Sequence, residues 1–148
     1  MRRVFLVAST LAAALALALP LTSGVAAPAS RTIVPAPLVG TWGKTVTLAT
    51  WHKNGVYGDP GGHWKITITK AGLTTLFAPP PPAGYVLTTM PVSTSGTSLV
   101  FGPTADGVCP AKGSYTWKVS GSTLVVKVVK DGCSPRRVLM TAGTWKRG

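Results

Sequence analysis

The chain has 148 residues, with 15 lysines and arginines against three acids, and a formal net charge of +12 at pH 7. Two histidines, three aspartates (Asp59, Asp106 and Asp131) and no glutamate leave little material for acid–base or metal chemistry. The length allows one domain with a single core.

Arg2 and Arg3 precede an apolar run from Val4 to Leu21, and small residues follow to Ala27-Pro28-Ala29. A basic n-region, an apolar h-region and an A-x-A site describe a secretory signal peptide over residues 1–29. A retained anchor is the rival reading of a run this long. Cleavage places the chain outside the cell or on its wall, with no membrane span left. It also puts Cys109 and Cys133 in an oxidising setting. Residues 30–39 carry proline and small-residue breaks and read as a flexible lead.

The folded part, 40–148, opens with Gly40-Thr41-Trp42-Gly43 and is rich in threonine, valine and glycine, a β composition. Predicted strands are Val46–His52, His63–Lys70, Leu73–Phe77, Tyr85–Pro91, Thr97–Phe101, Ser114–Val119, Thr123–Lys130 and Arg137–Met140, with a short last one at Thr144–Lys146. Trp64, Ile66 and Ile68 alternate with Lys65, Thr67 and Thr69, and Tyr115, Trp117 and Val119 alternate with Thr116 and Lys118. That period suits antiparallel strands with one wet face. Asn54-Gly55 and Asp59-Pro60-Gly61-Gly62 are turn chemistry. Pro79 to Pro82 lack amide donors and read as a stiff loop. About eight or nine short strands predict an all-β fold, a small antiparallel up-and-down barrel, with a sandwich as the alternative.

Cys109 and Cys133 lie symmetrically about Gly121, so a hairpin turning there brings them together as a disulfide. They form no C-x-x-C pair, which argues against redox work. With His52 and His63 they lack the clustering of metal ligands. A triad of His52 or His63, Asp59 and Ser134 can be drawn on paper, but no G-x-S-x-G or H-E-x-x-H accompanies it. No catalytic residue, metal or cofactor is therefore expected. The alternation sends Lys65 and Lys118 away from the aromatic faces, which argues against a stacking surface for nucleic acid.

Two patterns carry a resemblance. Gly40-x-Trp42 stands at the first strand, with arginines late in the chain at Arg136 and Arg137. The run Cys109-x-x-x-Gly113-x-Tyr115-x-Trp117, then Gly121-x-x-Leu124, then Asp131-Gly132-Cys133-x-x-Arg136 is similar to small secreted lipocalin-like, calycin-type proteins of high-G+C Gram-positive bacteria, mostly without assigned role. The resemblance implies that Trp42 closes the barrel floor, Gly40 admits a close approach, and Arg136 or Arg137 packs across the tryptophan.

In such a barrel Trp64, Ile66, Ile68, Tyr115, Trp117, Leu124, Val126 and Val128 are the candidates to line an interior site, unless they simply fill the core. The leading expectation is a secreted monomer that binds a small apolar or amphipathic ligand without catalysis. The alternatives are an interaction module, such as an inhibitor of an extracellular hydrolase acting through residues 30–39 or the proline loop, and a cationic protein held by an anionic cell-surface polymer.

Overall fold

The computed structural model describes residues 33–58, 61–78 and 86–148. The signal region, Asp59 and the proline run Pro79–Pro82 lie outside the described residues. Eight antiparallel strands close into a barrel in sequence order. They are β1 (Gly40–Val46), β2 (Gly62–Ile68), β3 (Leu73–Phe77), β4 (Val86–Ser95), β5 (Ser98–Phe101), β6 (Gly113–Ser120), β7 (Thr123–Lys130) and β8 (Trp145–Arg147). β1 runs against β2 from Gly40 opposite Ile68 to Val46 opposite Gly62. Its other edge meets β8, with Trp42 opposite Arg147 and Gly43 opposite Lys146. Closure leaves no free sheet edge, so the fold is a barrel and not a sandwich.

The period-two pattern becomes the core. Trp64, Ile66 and Ile68 are buried while Lys65 is exposed. Trp42, Phe101, Tyr115, Leu124 and Trp145 fill the interior beside them. The Phe101 and Tyr115 rings meet edge to face with centroids 5.6 Å apart, a favoured aromatic geometry.

The barrel has two unlike ends. At one, links of two to four residues, such as Gly121-Ser122, join the strands. The other is where β1, β3, β5 and β7 end, at Val46, Phe77, Phe101 and Lys130, and where the longer connections begin. Two short helices sit in these connections, α1 (Leu48–Lys53) and α2 (Ser134–Thr141). Among the described residues no helix is long and apolar enough to cross a membrane.

Three predicted segments are corrected. Val46–His52 is not a strand; β1 starts at Gly40 and ends at Val46, and α1 follows. The Thr47 side chain accepts from the Thr50 backbone N–H and caps that helix. Asn54-Gly55 is a turn, as its chemistry predicts, and it stops the helix. Arg137–Met140 lies in α2, where Pro135 occupies the first turn with its φ already helical. The lead is no free tail either. Val34 and Leu38 are fully buried, and the Val34 N–H bonds the Lys70 carbonyl at 3.3 Å. Residues 33–39 thus close the short-link end.

Trp42 anchors that floor through its indole N–H, which donates to the Leu38 carbonyl at 2.9 Å. The arginine packed across it is Arg147, not Arg136 or Arg137. Its guanidinium lies 4.2 Å from the Trp42 ring centre and donates to the carbonyls of Pro37 (2.7 Å) and Val39 (3.0 Å). The reason is the helix: α2 occupies the segment that holds Arg136 and Arg137, so the closing strand comes ten residues later. Gly40 is needed here twice over. Its φ is +135°, and a Cβ would stand 2.8 Å from Arg147 Nη1.

Cys109 and Cys133 form a disulfide with Cα atoms 5.5 Å apart, tying the 102–112 connection to the start of α2. Replacing both by serine is expected to cost about 3 kcal/mol, the loop-closure value for a link of this span. Chemical denaturation of the double variant checks it, and an unchanged midpoint would remove the staple.

Candidate functional site

The long-connection end holds an apolar cavity of about 150 Å³. Trp51 of α1, Trp64 of β2, Leu76 of β3 and Met90 of β4 form its walls, and Leu139 and Met140 of α2 cover it. Trp51 and Trp64 meet edge to face, centroids 5.6 Å apart at 63°. Leu87, Thr88, Thr104, Asp106, Val108, Cys109, Pro135 and Arg136 also line it. Leu87 and Val108 are 39% and 62% exposed, which places the opening between the start of β4 and the 102–112 connection. A largely apolar space of this size accommodates a single ring.

One buried polar cluster holds the cover in place. Arg136 Nε donates to Asp131 Oδ2 at 2.7 Å and Nη2 to Oδ1 at 3.0 Å. The same guanidinium reaches the carbonyls of Gly102 and Ala111, both at 2.7 Å. Tyr115 donates its hydroxyl proton to Asp131, and the Cys133 N–H bonds Asp131 Oδ1 at 2.8 Å. Five segments therefore converge: β6, the end of β7, α2 and both ends of the 102–112 connection. Gly113 makes room, since a Cβ there would lie against the Asp131 carboxylate and 2.9 Å from Arg136 Nη2.

Burial alone would push Asp131 up, but hydrogen bonds from Arg136, Tyr115 and the Cys133 amide outweigh it and hold the carboxyl below its usual range. Burial and the neighbouring Asp131 push the Tyr115 phenol up. Burial likewise disfavours charged Arg136, yet its bonds to Asp131 keep it protonated more firmly than usual. All these groups are mutually satisfied, so the cluster is a clamp and offers no poised acid or base.

Lys44 is a different case. It is buried on β1, its Nζ donates to the Ala142 carbonyl at 2.9 Å and stands 4.2 Å from the Trp145 ring centre. Among the described residues no carboxylate pairs with it. Desolvation lowers its pKa to about 7. An unfolded chain binds more protons than the folded one between about pH 7 and the ordinary lysine value of 10.5, so stability rises with pH in that window. The slope approaches about 1.4 kcal/mol per pH unit until Tyr115, harder to ionise in the fold, opposes it above pH 10. Unfolding midpoints from pH 7 to 10 check this; Lys44→Met should abolish the rise.

The structure scatters the predicted interior residues. Of the eight, Trp64 alone lines the cavity. Ile66, Ile68, Tyr115, Leu124 and Val126 are buried in the core, and Val128 is 42% exposed. Trp117 is partly buried and borders a separate surface groove with Lys118, Val125 and Lys127. Sequence reasoning missed Trp51, Leu139 and Met140 because their segments read as strands. The helix signals Thr47-x-x-Thr50 and Ser134-Pro135 could have found them.

Of the paper triad, Asp59 lies outside the described residues. His52 lies by Tyr57, ring centroids 5.0 Å apart, and His63 packs against Gly43. Ser134 accepts from Arg137 Nη2 at 3.2 Å. Among the described residues no three histidine, cysteine or acidic side chains gather as a metal site. Compared with known proteins, the chain matches no family model, no curated protein and no solved structure.

Proposed function

We propose that this chain is a secreted, non-enzymatic binding protein for a small apolar or amphipathic molecule. The observation that carries the reading is the cavity of about 150 Å³ walled by Trp51, Trp64, Leu76 and Met90 under the cover of α2. Its lining suits an aromatic ring, through ring–edge contacts with the tryptophans and soft contacts with Met90 and Met140. The short-link end is filled by residues 33–39 and Trp42, so only the long-connection end can admit a ligand. A signal-like leader and a disulfide agree with an extracellular site of action. Gly40-x-Trp42 under an arginine of the closing strand supports kinship with the calycin type.

Native mass spectrometry of the protein taken from its producing culture tests the reading. A co-purifying molecule of one-ring size is the expected result. A bare mass, with no line broadening of added propylbenzene by NMR, would overturn it.

One observation favours a second role. Eight lysines (53, 65, 70, 112, 118, 127, 130 and 146) are exposed, and none forms an ion pair among the described residues. Lys65 and Lys146 flank Gly43 on adjacent strands, with His63 alongside. Such a face suits an anionic cell-surface polymer. Binding to anionic vesicles that survives high salt would count against it.

A further inference from the structure

We infer that the cavity selects an aromatic ring that carries a protonated amine, directed by Asp106 at its mouth. The inference rests on the ligand-binding reading above and deepens it. Among the described residues two charged ones line the cavity, Arg136 and Asp106. Arg136 is spoken for: Asp131 balances its charge, and its N–H groups bond Asp131, Gly102 and Ala111. An anionic head would find there no uncompensated cation.

Asp106 is the opposite. It is exposed, and Oδ1 accepts the Val108 N–H at 3.0 Å while no cation pairs with the carboxylate among the described residues. The nearby hydroxyls of Thr88 and Thr104 already accept backbone N–H groups, from Asp106 and Cys109. Lys112, on the same connection, borders a different groove, with Pro91 and Val92. The chain is strongly basic, yet at physiological salt charges beyond about 8 Å are screened. Within the lining itself, Asp106 is the charge with no counter-ion among the described residues. A ring seated on Trp51 and Trp64 then leaves a short chain to carry its head group to the rim.

The test compares three probes of one shape on the full secreted protein: phenethylamine, propylbenzene and phenylacetate, by NMR titration. Phenethylamine should bind about fivefold tighter than propylbenzene, as an exposed ion pair provides, and phenylacetate should bind weakest. Asp106→Asn keeps the acceptor for Val108, and should bring phenethylamine to the propylbenzene value while leaving propylbenzene unchanged. On the unmodified protein, the amine's advantage should fade as salt rises from about 0.02 to 0.5 M, which serves if the variant folds poorly. Equal affinity for amine and hydrocarbon, or an advantage that survives both Asp106→Asn and salt, overturns the inference and leaves the cavity reading standing. Tightest binding of phenylacetate overturns it in favour of Arg136. Failure of all three probes, propylbenzene included, removes the ligand reading itself.

Discussion

Trp42→Ala is expected to cost about 3–5 kcal/mol, the range for emptying a large aromatic side chain from a packed core. The side chain is fully buried, its N–H holds the Leu38 carbonyl, and its ring carries Arg147. Alanine removes all three contacts and leaves the floor segment, with Val34 and Leu38, resting on a void. A small domain has about 5–15 kcal/mol in total, so the loss is a large share of it. Guanidinium unfolding reads the cost as a lower midpoint at unchanged slope. Trp42→Phe separates the parts: it restores much of the apolar area and loses the hydrogen bond. Arg147→Ala should cost less, about 0.5–1 kcal/mol, because that arginine is exposed and its cation–ring contact is correspondingly weak. A Trp42→Ala cost below 1 kcal/mol would take the floor role away from this residue.

The floor also shows what a sequence can and cannot reveal. Gly40-x-Trp42 was legible only through the resemblance, because a lone G-x-W is a weak pattern. The strands β2, β3, β5, β6 and β7 were legible because their apolar residues alternate over enough positions to fix a face. The partner arginine was not, because finding it requires knowing which late segment is the closing strand. Val138-Leu139-Met140 is a short apolar run that periodicity cannot assign, and it was read as strand although Pro135 marks a helix start. That error hid the cover of the cavity. The motif from Cys109 to Arg136 was visible as a pattern, but its meaning lies in three dimensions. Gly113, Tyr115, Asp131 and Arg136 are the members of one hydrogen-bonded clamp. Asp106 carried no signal at all, since one exposed aspartate in a loop looks like any turn former until a cavity opens beside it.

The clamp yields the second large effect. Arg136→Met is expected to cost about 3–5 kcal/mol, because it strands the Asp131 carboxylate in a buried site with Tyr115 as its remaining side-chain partner. Asp131→Asn should cost a similar amount by leaving the guanidinium unbalanced. The double variant Asp131→Asn/Arg136→Met should cost clearly less than the two singles together, the mark of a direct coupling. Acid resolves the same interaction differently. Asp131 sits below its unfolded value, so its contribution is complete above about pH 4 and is lost as pH falls through the folded value. The stability gap between the native chain and Asp131→Asn should therefore narrow on acidification below pH 4, and a gap that stays constant would contradict the ionised pair. Because Arg136 also bonds Gly102 and Ala111, its loss frees α2 and the 102–112 connection together. Those are the cover and the mouth of the cavity. Ring-sized probes should then lose affinity in Arg136→Met even where the barrel is still folded, whereas Trp42→Ala, acting at the opposite end, should lower stability and leave the affinity of the folded fraction unchanged.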